Sequence, residues 1–243
     1  MRMLIASISL LFSVNSLSIE LYTDFPETIN ADESYVFYSH GKILEGSKNN
    51  KPKHESYGIY AFPEIKKALF SEGDFNLIAH HRAVKTDIYA YADVLVGQVE
   101  KLLDAGVKHS NITIIGFSNG SYPTALASDK LSSKGINTVL LASCLNENIA
   151  FEKQINLGGN VLTVYETTDV MGSCGKLKHH SSNAISFQEF SISTGLRHGA
   201  FFQPLADWVN PLKRWIAEKH SHKKAFLNSL TTLHNPKSPW VWS

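Results

Sequence analysis

A surplus of charge of either sign is what this sequence most lacks. Its 243 residues carry 23 lysines and arginines against 22 aspartates and glutamates, so no global field draws the chain to nucleic acid or to an anionic membrane surface. Nucleic acid is therefore not an expected partner. The apolar run near its start, Leu4 to Val14, falls short of the about 20 residues that a bilayer-crossing helix needs, and no stable membrane span is expected. Cysteine is nearly absent, with Cys144 and Cys174 alone. His179-His180 and His220-x-His222 have no cysteine or carboxylate framework at zinc spacing beside them, so neither a metal nor another cofactor is expected. Internal repeats and low-complexity stretches are missing as well.

What is present suits one sizeable core. At 43% hydrophobic and 11% aromatic residues, a chain of this length commonly folds as a single domain. Met1-Arg2-Met3, the apolar run and then Asn15 to Ser18 have the positive, apolar and small-residue order of a secretory signal peptide cut near Ser18. The expectation is a leader over residues 1–18, one catalytic domain over 19–243, and an exported protein, periplasmic or secreted. Two cysteines in such a protein invite a disulfide.

Strands are expected at Ile19 to Phe25, Ser34 to Ser39, Asp74 to Ala79, Ile112 to Ile115, Thr138 to Ser143, Asn160 to Tyr165 and Ile185 to Ser193, from their apolar and β-branched content. Pro63 to Ser71 reads as a helix opened by its proline. From Asp87 the apolar spacing turns helical, with Ile88, Tyr91, Leu95, Val99 and Leu102 on one face, Thr86 or Asp87 as N-cap and Gly106 as stop. Ser121 to Ser128 and Leu205 to Lys219 also read as helices, and the lysine- and asparagine-rich segment Gly46 to Ser56 as a surface loop. Such alternation implies an α/β fold, a mostly parallel central sheet with helices on both faces. On that fold Cys144 and Cys174 follow adjacent strands at one sheet edge, within reach of each other.

Gly116-Phe117-Ser118-Asn119-Gly120 fits the G-x-S-x-G nucleophile elbow, and it lies between an apolar strand and a helix of small residues. A serine in so sharp a turn is lifted clear of the sheet, and glycines at 116 and 120 avoid collisions with strand and helix. Gly195-Leu-Arg-His198-Gly199 follows the last strand and offers a base between two glycines. Asp169 and Glu166, both beyond the strand ending at Tyr165, offer the acid.

The order of strand, His40-Gly41, elbow at Ser118, acid after a later strand and histidine after the last one resembles the α/β-hydrolase family over nearly all of residues 19–243. The resemblance implies Ser118 as nucleophile, His198 as base, and Asp169 as the favoured acid with Glu166 as the alternative. It also implies an oxyanion hole of backbone N–H groups from Asn119 and Lys42, and no cofactor. The longer His-Gly-Gly-Gly form of one lipase and carboxylesterase subgroup is lacking. His40, Arg82 and Lys85 are the candidate substrate contacts; His40 otherwise orders its loop, and Arg82 and Lys85 otherwise belong to a solvated charged turn. The interval of about 16 residues between Ser143 and Asn160 has no room for a helical lid, so an exposed site without a lid closing over long acyl chains is expected, which disfavours interfacial lipase activity without excluding it.

The expected activity is hydrolysis of a carboxylic ester or thioester, on a small-molecule or acyl substrate. A peptidase or amidase on the same three residues, and a non-catalytic binding protein on a hydrolase scaffold, are the alternatives.

Overall fold

The computed structural model describes residues 19–144 and 155–220. The expected leader, Trp240 and Trp242 of the tail, and most of the interval expected to lack a lid lie outside the described residues.

Nine strands are described: β1 (Leu21–Tyr22), β2 (Tyr35–Ser39), β3 (Lys53–His54), β4 (Gly58–Ile59), β5 (Asn76–Ile78), β6 (Ile112–Phe117), β7 (Asn137–Leu141), β8 (Gly159–Glu166) and β9 (Ala184–Ile192). The described helices are α1 (Phe62–Phe70), α2 (Ile88–Asp104), α3 (Ser121–Lys130), α4 (Gly175–His180) and α5 (Ala206–Lys219). Seven strands form one sheet in the order β1-β5-β2-β6-β7-β8-β9, and every pairing in it is parallel. The non-consecutive neighbours require crossovers, which is why strands and helices alternate along the chain.

Period-two alternation divides the core. Val36, Tyr38, Ile115, Phe117 and Val164 point to the face covered by α1 and α5, while Tyr35, Phe37, Ile112 and Ile114 point to the face covered by α2 and α3. On α2 the buried stripe is Ala92, Leu95, Val99 and Leu102, and Asp87 caps the helix by accepting from the N–H groups of Tyr89 and Ala90. Each large aliphatic side chain so buried contributes ~1.5 to 3 kcal/mol. Gly106 stops the helix at φ +91°, a conformation that costs glycine least.

Several elements differ from the sequence expectation, among them the unexpected helix α4 and a β5 shorter than Asp74 to Ala79. The first strand is only Leu21–Tyr22, because β5, its one neighbour among the described residues, is itself three residues long, and Pro26 soon removes a donor. The segment Gly46 to Ser56 is not wholly loop: Lys53 and His54 pair antiparallel with Ile59 and Gly58, and Lys51 forms an ion pair with Glu64 of α1. Cys144 and Cys174 are joined as a disulfide with Cα atoms 5.1 Å apart, tying the segment that follows β7 to the start of α4.

Candidate active site

The elbow follows from exclusion. β6 is buried along its whole length, and the chain then turns into α3 within a single helical turn, Ser118 to Gly120. Ser118 sits at φ +51°, a region that non-glycine residues enter only when the surroundings hold them there. A Cβ at Gly116 would lie 2.5 Å from Ser121 Cα, and one at Gly120 would lie 2.2 Å from the Ser39 carbonyl oxygen. Both glycines are thus required by the packing of β2, β6 and α3. The hydroxyls of Ser121 and Thr124 close the turn by donating to the carbonyls of Gly116 and Gly120.

The loop after β2 passes beside this turn, and a Cβ on Gly41 would touch the Phe117 ring at 2.8 Å. His40 is fully buried. Its Nε2 faces the Arg82 N–H at 2.9 Å and its Nδ1 faces the Gly41 carbonyl at 2.8 Å. An N–H can only donate, so Nε2 is bare and the proton lies on Nδ1, donating to Gly41. Burial, and then the Arg82 charge, push the His40 pKa down to about 3, and the ring is neutral. With the Gly41 carbonyl turned inward to the imidazole, planarity of the trans peptide turns the Lys42 N–H the other way. Lys42 and Ser118 line the same cavity.

Asp169 and His198 arrive from the ends of β8 and β9. His198 Nε2 lies 2.9 Å from Ser118 Oγ, and its Nδ1 lies 2.7 Å from Asp169 Oδ2. The carboxylate can only accept, so Nδ1 carries the proton and bare Nε2 faces the serine. The Asp169 side chain is 1% exposed and that of His198 12%. The histidine stands on a turn, Arg197 to Phe202, whose last four residues are buried; the Trp208 indole donates to the Ala200 and Gln203 carbonyls beneath it. The Phe117 ring stacks on the imidazole, with centroids 5.2 Å apart. Of the two flanking glycines, Gly195 lies at φ +71°, while Gly199 packs close to the Tyr57 backbone.

Glu166 meets neither the imidazole nor the serine in any hydrogen bond. Its carboxylate is fully buried and accepts from the Thr168 N–H and hydroxyl and from the N–H groups of Thr194 and Gly195. Burial raises its pKa, but these donors outweigh it and bring the value to about 2.

Ser118, His198 and Lys42 open into a cavity of about 210 Å³ whose walls include Ile43, Tyr57, Phe117 and Phe202. His54, from the β3–β4 pair, also lines it and stacks on Tyr57 at 4.5 Å. His54 and Tyr57 were not legible as site residues, since they lie in and beside a polar segment with no motif. Of the other candidate contacts, His40 and Arg82 are buried and do not line the cavity. The Arg82 guanidinium instead donates to the His40 carbonyl at 2.6 Å and lies over the Tyr91 ring. Lys85, exposed and at φ +57°, does not line it either. His220, at the end of α5, bonds Thr113 at 2.9 Å near the start of β6, the strand end opposite to Ser118, and His222 lies outside the described residues. Among the described residues no three His, Cys, Asp or Glu side chains form a metal-binding group, and no helix is long and apolar enough to cross a membrane.

No protein-family model matches the sequence, and no curated protein does. Solved structures do match the fold. An HSL homologue, EstE7, from a metagenome library superposes with TM-score 0.56 at 13% identity over 79% of this chain and 81% of that one. An esterase/lipase from an uncultured bacterium gives 0.53 at 10% identity, covering 79% and 78%. A CIB-like hydrolase from Thermoplasma acidophilum gives 0.53 at 11% identity, covering 79% and 89%. At such identities the likeness concerns architecture.

Proposed function

The chain has the α/β-hydrolase fold, and from that premise we propose that it is an exported serine hydrolase of carboxylic esters or thioesters, working as a single domain over residues 19–243. The observation that carries the reading is the unbroken hydrogen-bond chain from Ser118 through His198 to Asp169 at the floor of a cavity. Hydrolases of ester type among the structures of similar fold support the same class of bond, though fold alone never fixes chemistry. The disulfide and the leader pattern support export.

In this reading Ser118 Oγ attacks the carbonyl carbon while its proton passes to His198 Nε2, and Asp169 holds the ring and stabilises the imidazolium that forms. Negative charge moves to the former carbonyl oxygen, which meets the N–H groups of Lys42 and Asn119; losing one such donor costs about 10²- to 10³-fold in rate. The tetrahedral adduct collapses to the acyl-enzyme. The leaving alcohol or thiol takes the proton from His198, and water then repeats the sequence to release the acid. A cavity of about 210 Å³ is below the ~300 to 1,000 Å³ of drug-sized pockets, which favours a short acyl group against its aromatic wall.

The test is hydrolysis of a nitrophenyl ester series from acetyl to decanoyl by the mature protein, with Ser118→Ala prepared in parallel. Turnover peaking at short chains and lost in the variant is expected. No turnover, together with no covalent labelling of Ser118 by a fluorophosphonate, would overturn the reading and leave a binding role; labelling without ester turnover would move the bond to an amide.

A further inference from the structure

We propose that Glu166 is a positioning residue: its buried carboxylate clamps the loop that carries Asp169 to the loop that carries His198, and so sets the contact between them. The inference rests on the hydrolase reading above and adds to it a residue that does not itself touch the imidazole or the serine.

Backbone pairing between β8 and β9 ends at Glu166 opposite Ile192, followed by one further bond from the Thr167 N–H to the Ile192 carbonyl at 2.9 Å. Beyond that rung the two chains diverge, one toward Asp169 and the other toward His198. The Glu166 side chain spans the gap. Oε2 accepts from the Thr168 N–H at 2.7 Å and from its hydroxyl at 2.6 Å. Oε1 accepts from the N–H groups of Thr194 and Gly195, both at 2.9 Å. The first pair immediately precedes Asp169, and the second opens the turn that delivers His198 three residues later.

Chemistry dictates a carboxylate here. Five donors, the Thr194 hydroxyl at 3.4 Å among them, converge on two oxygens, and only an ionised carboxylate accepts at both. A glutamine of the same size would keep one acceptor and turn an NH₂ toward two donors. An aspartate would keep the charge but, one methylene shorter, would not span both loops. Side-chain bonds of this kind fix what the strand ladder no longer reaches, and a displacement of about 1 Å between acid and base can cost about 10²-fold in rate.

Glu166→Gln is the deciding variant, compared with the parent by three readouts. The first is kcat and KM on the best ester. The second is the acid limb of the kcat/KM pH profile. The third is the low-field proton resonance of His198 Nδ1–H, which requires no turnover. The expected result is folded protein by circular dichroism, kcat lower by about 10- to 10²-fold with KM little changed, an acid limb displaced to lower pH, and a resonance shifted or lost. A role confined to stability would lower the folded fraction and leave the limb and the resonance of the remaining folded enzyme in place. That outcome, or a kcat within twofold of the parent, would overturn the proposal.

Should Glu166→Gln not fold, Thr168→Val removes one donor at an exposed position. It is expected to move the same readouts in the same direction by a few-fold, and unchanged readouts would overturn the clamp. If the parent neither turns over ester nor is labelled at Ser118, the hydrolase reading fails, while the His198 resonance still decides whether Glu166 governs the Asp169–His198 contact.

Discussion

Ser118 stands at the end of a strand whose six residues are all buried, in the middle of the sheet. Asp169 and His198 stand beyond the last two strands, and in the outermost of these only Ile192 is buried. Ser118 is placed by volume: backbone from β2, β6 and α3 closes around positions 116 and 120 until no Cβ fits. Asp169 and His198 are placed by polar side chains, with Glu166 across the two loops and Trp208 beneath the histidine turn. A sheet centre can enforce position through close packing alone. A sheet edge has too few neighbours for that and relies on hydrogen bonds.

That contrast can be broken from either side. On the edge side, Asp169→Asn leaves the packing intact while it reverses a donor–acceptor match, and kcat is expected to fall by about 10⁴-fold with unchanged melting behaviour. Assay of Asp169→Asn beside Glu166→Gln sharpens the point, since the acid should cost far more than its clamp. If Glu166→Gln were the more damaging while folded, the roles assigned to the two carboxylates would be reversed.

On the centre side, Gly120→Ala is expected to destabilise the fold by about 3 kcal/mol, the upper part of the overpacking range. Because the clash at 2.2 Å is with backbone, rate should fall with it, by 10²-fold or more, as Ser118 is displaced. Urea denaturation and ester turnover on one preparation check both. Stability lost without rate would show that packing does not place the serine.

Acid should separate the two sides by pH. His40, on the elbow side, has its pKa lowered from 6.5 to about 3 by burial and then by Arg82. Below 6.5 the unfolded chain binds a proton that the folded one refuses, so stability is complete above that pH and is lost as pH falls toward 3. The slope is up to ~1.4 kcal/mol per pH unit. His220, lowered to about 4 mainly by burial, acts in the same direction. Glu166 is lowered from 4.5 to about 2, its hydrogen bonds outweighing burial. Its contribution is present above 4.5 and is lost only between 4.5 and 2. Denaturation midpoints measured from pH 7 to 3 should therefore fall first through the histidines, and His40→Gln should flatten the slope between 6.5 and 4.5. An unaltered slope would mean that His40 is not held neutral.

Much of this was written in the chain at short range. The apolar alternation of residues 34–39 and 112–115, the helical stripe of α2 with its Asp87 cap, and the glycines of the elbow are local patterns. They predict strand, helix and turn because steric and hydrogen-bond constraints act over a few residues. The disulfide between Cys144 and Cys174 also followed once a parallel sheet was inferred, and the order of Ser118, Asp169 and His198, each beyond a strand of that sheet, was implied by the family resemblance. The sequence favoured Asp169 over Glu166, three positions earlier beyond the same strand, but by itself could not tell which carboxylate meets Nδ1 and which meets the Thr194 and Gly195 amides. Nor could it tell that Arg82 lies buried under His40, or that His54 and Tyr57 reach the cavity from a polar segment. Those placements arise from contacts between residues tens of positions apart, across loops whose paths no local period records, and only the tertiary structure decides them.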